Sequence, residues 1–121
     1  MHFKFHLLNN ALILAAAALA IQPVLAAGID EKRQNELLYF VKHDCGSCHG
    51  MTLKGGLGPA LLPETLSAKP KAFLITTILE GRANTAMPPW KPMLSHDDAS
   101  WIVEQLQNGR MTQTRLAEGA Q

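Results

Sequence analysis

The chain holds two cysteines, both in the stretch HDCGSCHG at residues 43–50, and a histidine directly follows the second. Two thiols three positions apart can close a disulfide, switch redox state, hold part of a metal site or bond an organic cofactor. Each use demands different surroundings. A Cys45–Cys48 bridge closes a tiny loop and staples nothing distant. A thioredoxin-like redox pair needs a strand-to-helix junction in front of its cysteines. Here the preceding segment, DEKRQNELLYFVKH, puts charges first and then Leu37, Leu38, Phe40 and Val41, the pattern of a helix with an apolar face. Zinc wants four ligands. Cys45, Cys48 and His49 leave one to find, and adjacent Cys48 and His49 suit a single tetrahedron poorly.

Cys-x-x-Cys-His suits covalent haem. The two sulfurs can bond the vinyl groups, and the imidazole of the next residue reaches the iron from the same side. A structural or redox pair that happens to precede a histidine is the bland alternative. The haem assignment requires a second axial ligand for electron transfer, and loops between helices that can cover a large flat group.

Length and charge set the frame for this demand. A chain of 121 residues forms one domain. Residues 1–26 read as a secretory signal peptide: a short start with one lysine, an alanine-rich apolar stretch, and Val24 and Ala26 at small-residue cleavage positions. The rival is an uncleaved anchor, but Gln22 and Pro23 break the apolar run short of the roughly 20 residues a span needs. Cleavage leaves residues 27–121, which is 95 residues with ten Lys and Arg against ten Asp and Glu. Such a neutral chain gives no argument for nucleic acid or for an anionic membrane surface, and no stable membrane insertion is expected after cleavage. A domain this small is marginal on its own burial, and export permits a covalent staple.

Three helices are expected, and no segment alternates like a strand. The first spans 31–43 with Asp30 as N-cap. The second spans 70–80, with Pro70 in its first turn, a face of Phe73, Leu74, Thr77 and Ile78, and Gly81 as the stop. The third begins after Ser95, with Asp98 at the third position, Ala99, Ile102, Val103 and Leu106 at helical spacing, and Gly109 ending it. Residues 110–121 are polar and expected to fray.

Two loops remain. GMTLKGGLGPALLP combines four glycines with Leu57, Leu61 and Leu62, allowing close backbone approach to something flat. GRANTAMPPWKPML holds Met87 in a proline-stiffened stretch, 38 residues beyond His49 and past one helix. A methionine is more often a gap filler than a ligand. Met51 is too near His49 to reach the opposite side, Met93 is the realistic competitor, and Met111 lies in the tail. The iron could also be left five-coordinate.

With CGSCHG, GLGP at 56–59 and AMPPWKPML in this order, the chain resembles a small class I cytochrome c over essentially all of residues 27–121. More narrowly, CGSCHGMTLKGGLGP followed by TAMPPW resembles the short monohaem NirC-type cytochromes associated with cytochrome cd1 nitrite reductase. The resemblance implies an all-α fold of three main helices, the first and third crossing, with haem-wrapping loops. It implies one haem c bound through Cys45 and Cys48, His49 as proximal ligand with its second N–H given to the carbonyl of Pro59, and Met87 as distal ligand. It further implies periplasmic single-electron transfer rather than catalysis, with cytochrome cd1 nitrite reductase or the haem d1 biosynthesis proteins as partners. Val41 stands where the family often carries an aromatic residue, which puts packing against the third helix in question. Leu57, Leu61, Pro88, Pro89 and Trp90 would wall the cofactor or rim a docking surface, and Lys42, Lys54, Arg82 and Lys91 would steer a partner. Two other classes stay open: a haem enzyme or maturation factor, and a haem-based binding or sensor module with an open iron. Neither has residues of its own, since His43 and His96 both read as exposed.

Overall fold

The computed structural model describes residues 28–113. The expected signal peptide at 1–26 and the tail from 114 onward lie outside the described residues. Helices occupy Glu31–Phe40 (α1), Gly46–His49 (α2), Pro63–Leu66 (α3), Lys71–Glu80 (α4) and His96–Gln107 (α5), and Val41–Cys45 is a π-helical turn joining α1 to α2. No strand occurs among the described residues, so the all-α expectation holds.

Asp30 caps α1, its carboxylate accepting from the Arg33 amide at 2.8 Å. The helix does not stop at His43 as the sequence suggests. It continues through the cysteines because the Gly46 N–H reaches back to the Val41 carbonyl, a five-residue step that absorbs one extra residue. Pro70 caps α4 from an extended conformation rather than opening it. The single turn α3, started by Pro63, was not expected. Residues 110–113 form a helical turn, and Met111 is 3% exposed. Fraying therefore does not begin at 110: the polar run hides one apolar side chain that burial fixes.

The core gathers where α1 and α5 meet. Leu37 and Val41 share one apolar cluster with Ile102 and Leu106, and Leu53, Leu66, Leu94 and Met111 complete it. Val41 is fully buried, so an aliphatic side chain fills the position where the family often carries an aromatic residue. A second cluster of Ile75, Ala99 and Val103 fixes α4 on α5.

One polar link ties the terminal helices. The Arg33 guanidinium donates to Asp98 twice, from Nε at 3.0 Å and from a terminal nitrogen at 2.9 Å. The same carboxylate completes a capping box, accepting the Ser95 amide at 2.8 Å while the Asp98 amide donates to the Ser95 hydroxyl at 3.1 Å. The Arg33 bonds, against the cost of burial, hold the Asp98 carboxyl down at about 2 from an ordinary 3.8. The depressed carboxyl contributes stability that is complete above the unfolded value and is lost as pH falls through the folded one, about 2 kcal/mol in all. Asp98→Asn is accordingly expected to lower the unfolding free energy of the holoprotein by about 2 kcal/mol at neutral pH and to flatten its dependence between about pH 4 and pH 2. Denaturant titrations across that range measure both effects.

Candidate haem site

The end of α1, the π turn and α2 carry the attachment motif on one continuous helical path. Cys45 closes the π turn, Cys48 lies one turn on, and His49 ends α2. Neither cysteine is in a disulfide. No strand precedes the pair, which removes the thioredoxin arrangement, and no three His, Cys, Asp or Glu side chains converge on a metal-sized site among the described residues.

After His49 the chain folds back over the motif. The Gly55 amide donates to the His49 carbonyl and the Gly58 amide to the Cys48 carbonyl, each at 2.9 Å. This places the Pro59 carbonyl 2.7 Å from His49 Nδ1. A carbonyl only accepts, so Nδ1 bears the hydrogen and Nε2 keeps the lone pair a metal needs. Gly58 makes the approach possible: a Cβ there would sit 2.7 Å from both Nδ1 and Cε1 of the ring. The sequence marks GLGP as a turn, but the clearance for the imidazole becomes visible only in three dimensions. Gly58→Ala is expected to cost the holoprotein about 1–3 kcal/mol through this overlap, as measured by thermal unfolding.

Met87 lies on the separate loop after α4, and its side chain is half-buried. Gly81 ends α4 with φ +68, and the Arg82 amide donates to the Met87 carbonyl at 3.1 Å. Beyond the prolines, the Trp90 amide donates to Ile78 and the Lys91 amide to Leu79, both carbonyls of α4 and both at 3.1 Å. The loop is thus sewn to the helix end on each side of Met87. Met93, its competitor, is well exposed, and its carbonyl lies 3.5 Å from the Arg33 guanidinium. Trp90 is half-buried and stands edge-on to Phe40 at 5.0 Å. Leu57 is 90% exposed beside Gly58, an apolar side chain on the proximal loop that no protein group covers.

These features fit haem c: a thiol pair and an oriented imidazole on one helical turn, a glycine cradle at the ring, and an apolar loop alongside. The structure brings Cys45, Cys48 and His49 together and places Met87 on its own anchored loop. Sequence reasoning missed the Arg33–Asp98 link and the backbone anchors of the second loop, for which no local signal exists.

The fold and motif define a monohaem c-type cytochrome, all-α and with a single covalently bound haem c. The family model described as cytochrome C oxidase, cbb3-type, subunit III matches residues 33–106, more than half of the chain. Cytochrome c55X of Pseudomonas aeruginosa is 52% identical over 82 residues, covering 68% of this chain and 69% of the relative. The solved structure of the c-type cytochrome NirC superposes with a TM-score of 0.68 at 52% identity, covering 69% of this chain and 98% of that one. The dihydro-heme d1 dehydrogenase of Pseudomonas aeruginosa is 39% identical over 71 residues, covering 59% of this chain but 14% of that larger protein. The chain belongs to the NirC/cytochrome c55X family, and that assignment makes it a periplasmic electron carrier rather than an enzyme. No helix among the described residues is long and apolar enough to cross a membrane.

Proposed function

We propose that this chain carries single electrons in the periplasm to cytochrome cd1 nitrite reductase during denitrification, with Cys45 and Cys48 holding the haem, His49 as proximal ligand and Met87 as distal ligand. The observation that supports His49 as a ligand is the 2.7 Å contact from its Nδ1 to the Pro59 carbonyl, which leaves the Nε2 lone pair for a metal. Haem c supplies a one-electron ferric/ferrous couple when bound, and a thioether ligand raises its potential. His49 and Met87 would ligate the iron of the bound group, and Leu57, Leu61 and Trp90 would shield it from water. Substrate then finds no open coordination site, which suits outer-sphere transfer.

The two loops also bear on partner choice. Neither residues 45–63 nor residues 81–96 contain an Asp or Glu, while Lys54 and Arg82 are exposed on them. Lys91 is paired with Glu80 at 3.0 Å, a surface contact worth little. A positive rim of this size favours brief, salt-sensitive encounters over a stable complex. The likeness to the dihydro-heme d1 dehydrogenase favours a second reading, in which the carrier serves the last oxidative steps of haem d1 formation.

Stopped-flow mixing of the reduced protein with cytochrome cd1 nitrite reductase tests the first reading, and mixing the oxidised protein with dihydro-heme d1 dehydrogenase and its substrate tests the second. Rapid, salt-sensitive oxidation by the reductase is the expected result. Transfer with the dehydrogenase alone moves the carrier to the haem d1 route, and exchange with neither overturns both partners.

A further inference from the structure

We propose that Thr85 is a positioning residue that holds Met87 in place for the iron. This rests on the distal role given to Met87 above. Residues 82–86 are all exposed, so apolar burial does little to fix the segment that leads into Met87. What fixes it is a small hydrogen-bonded ring. The Thr85 hydroxyl donates to the Arg82 carbonyl at 2.8 Å and accepts the Met87 amide at 3.3 Å. The Thr85 amide closes a turn onto the same Arg82 carbonyl at 3.2 Å, and Asn84, in the left-handed region at φ 61, makes that turn possible.

One hydroxyl therefore joins the start of the loop to the amide of the methionine, while the Met87 carbonyl is held separately by the Arg82 amide. Pro88 and Pro89 follow and have no N–H to offer, so the chain cannot re-form the lost bond one or two residues later. Removing the hydroxyl leaves Met87 attached to the loop's base only through its carbonyl. The thioether then leaves its position more often, and an external ligand competes with it better. A hydrogen bond of this kind is worth a severalfold change in such a competition.

Imidazole titration of the ferric holoprotein, followed by its absorption spectrum, reads that competition directly. Thr85→Val keeps the shape and removes the hydroxyl, and it is expected to tighten apparent imidazole binding by about fivefold. Thr85→Ser restores the hydroxyl and is expected to return binding to within about twofold of wild type. Far-UV thermal unfolding run alongside identifies any general loss of fold. Met87→Ala separates the two ideas. If wild type binds imidazole as readily as Met87→Ala, Met87 is not the ligand and the proposal falls with it. If wild type resists imidazole and Thr85→Val resists equally, or if Thr85→Ser behaves like Thr85→Val, the methionine assignment stands and the role of Thr85 is overturned.

Discussion

Gly81→Ala is expected to strip methionine ligation from the ferric protein while leaving the haem covalently attached. Gly81 sits at φ +68 and ψ −163, a region essentially reserved for glycine that costs an L-residue on the order of 1–3 kcal/mol before any contact is counted. The contacts are worse than the dihedral. A Cβ at this position would lie 2.6 Å from the Pro88 carbonyl carbon and 2.7 Å from both the Met87 oxygen and the Pro89 nitrogen. These are backbone atoms of a loop stiffened by two prolines, so no side-chain rotation relieves the overlap. The loop must lift, and the amides of Trp90 and Lys91 then lose their partners on α4. His49 and the cysteines are on a different segment and keep their geometry. The expected signature is a ferric spectrum without thioether ligation, a potential lowered by on the order of 100 mV or more, and an unchanged covalent haem stain on a denaturing gel.

Replacing both Cys45 and Cys48 with serine is expected to abolish the folded state altogether. The helices α2 and α3 are single turns, and α1 and α4 run only ten residues each, too short to persist without tertiary packing. The apolar cluster that holds them includes Leu61, Leu62, Leu74, Ile78, Leu79 and Trp90, each only partly buried by protein atoms. Haem c would cover such surfaces and stay in place through its two thioether bonds. Without attachment the remaining burial falls short of the ordering entropy for a domain of this size. Far-UV circular dichroism of the purified double variant should show loss of most of the helical signal, and proteolysis should digest it far faster than wild type. A double variant with native helicity would mean that the protein core suffices alone.

The features legible in the sequence are those written in short spacings. The motif at 45–49, the Ser95 and Asp98 cap, the apolar stripe from Ala99 to Leu106 and the Gly81 stop each involve residues within a turn or two, and each appears where expected. What stayed hidden depends on distant partners or on backbone paths. Arg33 and Asp98 lie 65 residues apart, so nothing local distinguishes Arg33 from any solvated charge. The π turn at Val41–Cys45 replaces one hydrogen-bond register by another without changing composition, and so the helix appeared to end at His43. Gly58 and Gly81 read as turn residues, yet each also admits a specific neighbour, an imidazole in one case and the Met87–Pro89 backbone in the other. The Thr85 hydroxyl, bonded to both Arg82 and Met87, carries no local sequence signal either.

The central claim is that His49 and Met87 together close the iron to outside ligands and make the chain a carrier. Absorption spectra of the exported holoprotein in both redox states, taken beside those of Met87→Ala, test it most directly. The account predicts a low-spin ferric protein with the weak red charge-transfer band of thioether ligation, absent in Met87→Ala. A high-spin ferric spectrum that shifts on adding cyanide or nitrite at low concentration would contradict it, because the iron would then be open to substrate.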